Sequence, residues 1–431
     1  YTQLDPEEIE SFTVLKDAAS TAVYGIRGGD GVLLVTTKRG KLGEPKVSFT
    51  ANFALQSPTR MPQSVNSYDY ARLYNEGFLN DNPGGESPYT EEVIQKYRDH
   101  SDPLFYPDAD WVKLATRKFS QQQKYNVNVS GGTKFARYFV SLGFLNQGGM
   151  QKEMNKQYDY SNRDDYRRLN VRSNIDMSVT KSTTVSLTIG VASGHKQRTP
   201  GDASVNSLFR YLCTTPPNVT PGIWDGKYIM LESAITKRNP LHSMTLGIKD
   251  IYENRLDATL EVKQNLDFIT KGLKFKAMGA FDNGYAQTNE RTKTEQLFYP
   301  KYIEDGDAQR LVFYSETDPG QLSSPSNTFS ARMKRYYGNF SLSYEASFGK
   351  HNVAALALFS LSKKYYNVGA PAYVPSGYIE YVGRVSYNYD HKYLVEFNLG
   401  VNGSEQFPAN QRFGWFPAVS AGWVISNEKF F

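Results

Sequence analysis

Apolar and polar residues take turns along most of this chain. Val47, Phe49, Ala51, Phe53 and Leu55 fall on one face of an extended segment, and Lys46, Ser48, Thr50, Asn52 and Ala54 on the other. Leu256, Ala258, Leu260 and Val262 alternate likewise with Asp257, Thr259, Glu261 and Lys263. Tyr393, Val395, Phe397, Leu399 and Val401 alternate with Leu394, Glu396, Asn398, Gly400 and Asn402. A period of two sends the apolar side chains to one side of a β-sheet. The pattern predicts about twelve strands, near 46–56, 121–131, 133–146, 162–179, 182–195, 250–268, 272–286, 329–348, 350–363, 378–390, 392–403 and 413–426. Tight turns are expected near Gly131-Gly132, Thr180-Lys181, Lys271-Gly272, Gly349-Lys350 and Asp390-His391. Long connections are expected over about 57–120, 147–161, 196–249, 287–328, 364–377 and 404–412. Short and long alternate without exception, as on the two rims of an antiparallel barrel that crosses an outer membrane. Two helices are predicted in the first long connection, near Ser67 to Leu79 and Thr90 to Arg98, and a short one near Leu208 to Leu212. Several strands exceed the roughly 9–11 residues a tilted membrane strand needs, so they extend past the bilayer on the long-loop side.

Residues 1–45 follow another rhythm. Asp5 can cap a helix, Pro6 suits its first position, and Glu8 stands where a capping box needs an acid. Phe12 to Lys16 reads as a short strand. Asp17 then caps a second helix, Ala18 to Tyr24, which Gly25 ends. The turn Arg27-Gly28-Gly29-Asp30-Gly31 leads into a strand from Val32 to Thr37, closed by the basic turn Lys38-Arg39-Gly40-Lys41. An open sheet would leave two unpaired edges in lipid, so further strands are expected outside this sequence. The first residue, Tyr1, agrees with an internal piece of a longer protein.

Composition narrows the choice. The chain has 431 residues, 14% of them aromatic with 31 Tyr, yet its mean hydropathy is −0.54. No apolar run approaches the roughly 20 residues of a spanning helix. A barrel tolerates such polarity because only alternate residues face lipid, and its aromatic girdles use tyrosine. The single cysteine, Cys213, permits no internal disulfide or thiolate cluster. The net charge of +5 comes from interspersed signs, which gives nucleic-acid binding little support. The glycines from Gly25 to Gly31 follow a helix and precede a strand, the reverse of a phosphate-binding loop. Glu304-Asp305-Gly306-Asp307 lacks the spaced ligands of a calcium loop and reads as a solvated tip. His195, His242 and His351 lie apart, without the local signature of a Ser–His–Asp arrangement. Trp224, Tyr228, Tyr285, Phe298, Tyr299, Tyr302, Phe313 and Tyr314 lie in or beside long loops. Their rings suit stacking on sugars, packing on peptide side chains, girdle packing or contact with a partner protein. Trp224, Tyr228, Tyr285, Tyr299 and Tyr302 are the candidate ligand or partner contacts.

Several stretches carry a family resemblance. Ile9-Glu10-Ser11-Phe12-Thr13-Val14-Leu15-Lys16-Asp17-Ala18-Ala19-Ser20-Thr21-Ala22-Val23-Tyr24-Gly25, then Arg27-Gly28-Gly29-Asp30-Gly31-Val32-Leu33-Leu34-Val35-Thr36-Thr37-Lys38, resembles the end of the plug domain of SusC/RagA-type TonB-dependent transporters. Ile26 stands where that family commonly has Ser, and Gly29-Asp30 where it has Ala-Asn. Asn128 to Thr133 and Tyr138 to Gln147 resemble its first barrel hairpin; Gly383 to Tyr389 and Phe416 to Trp423 resemble mid-barrel strands. The resemblance implies an all-β fold, a transmembrane antiparallel β-barrel of about 22 strands around a small α+β plug. Residues 1–45 would be the C-terminal part of the plug, with Asp17, Gly25, Arg27, Gly28 and Gly31 as its structural motif. Residues 46–431 would be the first part of the barrel. Arg27 would pair with a carboxylate inside the barrel.

The implied function is TonB-dependent active import of an oligosaccharide or oligopeptide across the outer membrane of a Bacteroidetes-type bacterium. A SusD-like surface lipoprotein would cap the long loops, and TonB would act through a region outside this chain. The bilayer and its lipopolysaccharide would surround the barrel. No cofactor, covalent chemistry or nucleic acid enters this scheme. The alternatives are a lid-independent siderophore or vitamin receptor, an outer-membrane adhesin or barrel enzyme without a plug, and a soluble carbohydrate-binding or hydrolytic β protein. Hydrolysis would need two carboxylates at a set separation, which the sequence does not place.

Overall fold

A computed structural model describes residues 4–16, 28, 30–154, 160–200, 205–232, 238–305, 308–366, 375–428 and 430. A 3-10 turn, Pro6–Glu8, leads into β1 (Ile9–Leu15), which pairs antiparallel with β2 (Val32–Thr37). The wall begins with β3 (Gly43–Gln56), β4 (Ser120–Gly132), β5 (Ala136–Gln147), β6 (Asp165–Ser178) and β7 (Thr183–Arg198). A two-residue hairpin of β8 (Ile223–Trp224) and β9 (Lys227–Tyr228) follows, then β10 (Gly247–Asn265) and β11 (Leu273–Thr292). β12 (Phe298–Asp305) and β13 (Ala308–Ser315) form a separate hairpin. The wall ends with β14 (Ser326–Phe348), β15 (His351–Tyr366), β16 (Ser376–Tyr389), β17 (Tyr393–Ser404) and β18 (Phe413–Trp423).

Strands β3–β7, β10, β11 and β14–β18 form one 12-stranded antiparallel sheet in chain order. This is a partial barrel, and each wall strand overlaps one of the segments expected from alternation. The tight turn at Asp390-His391 has the geometry that right-twisted hairpins demand. Asp390 and His391 hold φ of 52° and 55°, and the Lys392 amide donates to the Tyr389 carbonyl at 2.9 Å. Two left-handed residues in succession match the twist of the flanking strands. β10, β11 and β14, at 19, 20 and 23 residues, are the longest strands.

The two faces of the wall differ as the period of two requires. On β14, Phe340 and Leu342 are 46% and 43% exposed, while Asn339 between Gly338 and Phe340 is only 6% exposed. On β16, Tyr381 projects outward while Glu380 is buried and receives a 2.7 Å hydrogen bond from Ser360 of β15. Asn126, Ser141, Asn174 and Asn398 are buried polar residues of the inner face.

The long connections are where expectation and structure part. Helices Ser67–Asp81 and Glu91–Asp99 start at side-chain caps, Asn66 and Thr90, close to the predicted positions. Val205–Thr214 contains the expected Leu208 to Leu212 turn. The helices Trp111–Ala115 and Pro240–Ser243 and the β12–β13 hairpin were not legible beforehand. β11 and β14 also run on into the segment expected as the 287–328 loop. Together these pieces form a folded layer with its own core: Ala109, Trp111, Ala115, Leu208, Leu212, Tyr228, Leu241 and Met244 are buried against one another. A second cluster packs Ala71, Ile94 and Tyr97, and a third Leu104, Ile229 and Leu231.

At the N-terminus the expected first helix is only the 3-10 turn, because the chain turns straight into β1. The expected strand Phe12 to Lys16 starts three residues earlier, at Ile9. The second helix, Ala18 to Tyr24, lies outside the described residues, as do Asp17, Gly25 and Arg27.

Trp111 is 1% exposed and its indole nitrogen donates to the Pro216 carbonyl at 3.1 Å. Trp111→Ala is expected to destabilise the loop layer by about 3–5 kcal/mol. Limited proteolysis should then cut near residues 200–245 while the strands of the wall stay protected.

Candidate functional site

The inner face of β4–β7 holds the N-terminal segment through buried charge. The Asp5 carboxylate caps the 3-10 turn, accepting from the Glu7 amide at 2.9 Å, and lies 2.8 Å from the Lys124 ammonium of β4. Glu8 does not close a capping box. Its side chain, 1% exposed, instead accepts from Arg172 Nε of β6 at 2.6 Å. Arg39, just after β2, reaches Asp176 at 2.5 Å, and Asn174 Nδ2 donates to the Lys38 carbonyl at 2.6 Å. β6 therefore offers three successive inward residues, Arg172, Asn174 and Asp176, to the open end of the β1–β2 hairpin, where the chain enters β1 and leaves β2. Small neighbours make the room. A Cβ on Gly143 would stand 3.0 Å from the Asp5 carboxylate, and one on Gly190 would stand 2.8 Å from the Arg172 guanidinium.

Glu8 Oε1 has no hydrogen-bond partner among the described residues. Burial outweighs the attraction of Arg172, and the Glu8 carboxyl is held above its ordinary pKa. The segment is thus docked by groups that are costly to strand. Among the described residues of the glycine turn, the Gly31 amide donates to the Gly28 carbonyl at 3.0 Å, and Gly31 adopts φ of +91°.

Cavities open beside the docked segment and, separately, at the rim. One of about 310 Å³ lies between the segment and the wall, beside Thr37, Arg39, Arg172, Arg255 and Asp257. A larger one of about 1010 Å³ opens at the long-loop rim, between Gln56 to Met61, Tyr166, Lys196, Arg198, Leu208 and Leu212. Its cations are partly satisfied. Arg198 meets Asp164 at 3.1 Å, while Lys196 meets Glu253 at 2.8 Å and lies 5.5 Å over the Tyr166 ring. This rim cavity was not foreseen, since its walls come from segments more than a hundred residues apart.

The candidate aromatic contacts scatter. Tyr228 is buried in the loop-layer core, its hydroxyl donating to the Met154 carbonyl at 3.3 Å. Trp224, on the same small hairpin, is 37% exposed. Tyr299 stacks on Tyr314 within the β12–β13 hairpin at 5.5 Å, and Tyr302 stacks on Phe105 at 5.2 Å. Those three segments lie together, since the Met230 amide donates to the Phe298 carbonyl at 2.9 Å. Tyr285 stands apart, on the outer face of β11.

No family model matches the chain. It is similar to a TonB-dependent receptor of Formosa agariphila, 26% identical over 100% of this chain and 39% of that relative. It is likewise similar to the TonB-dependent receptor SusC of Bacteroides thetaiotaomicron, 23% identical over 100% of this chain and 42% of the relative. Among solved structures, that of the RagAB peptide transporter matches with a TM-score of 0.68 at 19% identity, covering 99% of this chain and 50% of that one. The chain thus spans less than half the length of these curated relatives.

Arg172→Ala would leave Glu8 buried without a counter-charge, at a cost of about 3–5 kcal/mol to docking of the segment. Hydrogen exchange of the Ile9–Leu15 amides should speed up accordingly. Because the folded pKa of Glu8 is raised, its contribution is greatest below the ordinary glutamate value of about 4.3 and falls as the pH rises through the higher folded value. Glu8→Gln should abolish that part of the pH dependence. At the turn, Gly31→Val places a Cβ 3.1 Å from the Leu15 carbonyl at a positive φ and should loosen the hairpin, whereas the exposed Glu304→Ala should change nothing in the same exchange experiment.

Proposed function

We propose that this chain, similar along its whole length to SusC-type TonB-dependent receptors and folded as a partial barrel, serves active import across an outer membrane. In this reading residues 1–45 are the end of the plug and residues 46–431 the first part of the barrel. The observation that carries it is the division of the wall: outer rows apolar and exposed, inner rows polar and occupied by the N-terminal segment. Such a wall is suited to lipid on one side and a blocked, water-lined passage on the other. Moving cargo past a plug held by buried ion pairs takes work, which TonB would deliver from the periplasm through a region outside this chain. The cargo would be an oligosaccharide or oligopeptide that enters from the long-loop rim, where the larger cavity opens. A SusD-like lipoprotein would cover that rim, resting on the folded loop layer. The chain performs no covalent chemistry in this scheme.

A barrel adhesin without a plug has no use for Asp5, Glu8 and Arg39 aimed at the lumen wall. A receptor without a lid shares that segment and differs only in its partner. Purification of the full-length protein in detergent separates the two: a stoichiometric surface lipoprotein supports the lid, and a single polypeptide contradicts it.

The membrane assignment has its own test. Phe340→Arg, at mid-height on the outer face, should cost about 2–4 kcal/mol of folding into lipid vesicles, as a cation does at a bilayer midplane. Ser341→Arg, one residue on and facing the lumen, should cost far less. Equal penalties measured by urea unfolding in vesicles would refute lipid contact.

A further inference from the structure

Tyr285 faces neither the rim cavity nor the loop layer. Register places it directly across from Arg332 of β14, on the outer face. Two residues along that face, Lys334 stands across from Tyr365 of β15, and next Tyr336 stands across from Lys363. Three cations each therefore stand across from a tyrosine over β11, β14 and β15. The rings of Tyr285, Phe329, Tyr336 and Tyr365 are 40%, 45%, 48% and 39% exposed. The Arg332 guanidinium lies 3.8 Å over the Phe329 ring, and Lys363 is 3.7 Å from Glu405. Among the described residues, no carboxylate pairs with Arg332 or Lys334.

The height of this patch is informative. At the opposite end of β14, Phe348 is 61% exposed near the rings of His351, Tyr387 and Tyr389, an aromatic cluster on the short-turn rim. From Phe348 to Tyr336 the strand runs about 40 Å at ~3.3 Å per residue. With a tilt of about 40° this is roughly 30 Å of height, close to the thickness of a hydrocarbon core. Phe340 and Leu342 fill the interval. Tyr336 thus marks the upper boundary, and Lys334 and Arg332 are the next outward residues above it. That is the level of headgroup phosphates. Uncompensated cations flanked by amphipathic rings at this level fit a bound anion whose lipid tail continues down the apolar face.

We propose that Arg332 and Lys334, with Lys363 beside them and Tyr285 and Tyr365 as flanking rings, bind the phosphorylated headgroup of an outer-leaflet lipid. The proposal rests on the membrane reading above and assigns Tyr285 to lipid instead of cargo. It deepens that reading by naming where the wall grips its surroundings.

The test uses the full-length protein in detergent, titrated with bisphosphorylated lipid A and read by native mass spectrometry. Arg332→Gln combined with Lys334→Gln should weaken lipid A binding by at least roughly tenfold, since two charge-assisted contacts are lost. Lys350→Gln, an equal loss of charge per site in the opposite rim, should bind like the wild type. Inorganic phosphate should not displace the lipid at equal concentration. Wild-type affinity in the double variant overturns the proposal, and so does efficient displacement by phosphate, which would mark a free-anion site. A full-length protein that stays soluble without detergent would overturn the membrane reading itself, a separate outcome.

Discussion

The backbone ladder of the wall is the constraint on which everything else depends. Each inner strand from β4 to β17 pairs with the strand before it and the strand after it, so its amides and carbonyls are satisfied within the sheet. Side chains are then free of any duty to the backbone, and the two faces can diverge completely in chemistry. Phe340 can be exposed on one side while Asn339 is buried on the other. Without an unbroken ladder, an apolar outer face would carry unpaired polar groups beside it, which a hydrocarbon medium does not tolerate.

The inner face uses this freedom to hold a folded segment by charge instead of by apolar contact. Asp5, Glu8 and Arg39 each find an opposite charge on β4 or β6, and Gly143 and Gly190 leave them the space. Ion pairs of this kind add little net stability when intact, but removing one partner is costly. A segment held this way has a defined seat. The loop layer solves a different problem. Its main core draws on residues from Ala109 to Met244, so the first and third long connections pack against each other.

The strands were legible because a single local rule, alternation, governs them from Lys46 to Trp423. Turn positions followed from glycine, from Thr180-Lys181 and from Asp390-His391, although Gly131-Gly132 end β4 and the turn itself comes just after them. The loop layer was illegible for the opposite reason: Trp111, Leu208, Tyr228 and Met244 are neighbours only through long-range packing. The β12–β13 hairpin escaped notice because the glycine between its segments, Gly306, sits in an acidic run that reads as a solvated loop tip. Glu8 shows how a local rule misleads, since its position satisfies a capping box while its charge is claimed by Arg172, 164 residues away. Tyr285 shows the same at the rim: proximity to a loop in sequence suggested a cargo contact, and the parity of β11 turned the ring to the outside.

The central claim is that the outer rows of the wall touch lipid and the inner rows touch water. Spin labels placed one at a time from Gly338 to Tyr344 in the full-length protein, reconstituted in bilayers, measure this directly. Collision with oxygen should peak at residues 338, 340, 342 and 344, and collision with a water-soluble nickel chelate should stay low there. Two equally shielded sets, with oxygen excluded from even and odd positions alike, would show a wall packed inside a water-soluble body and would contradict the account.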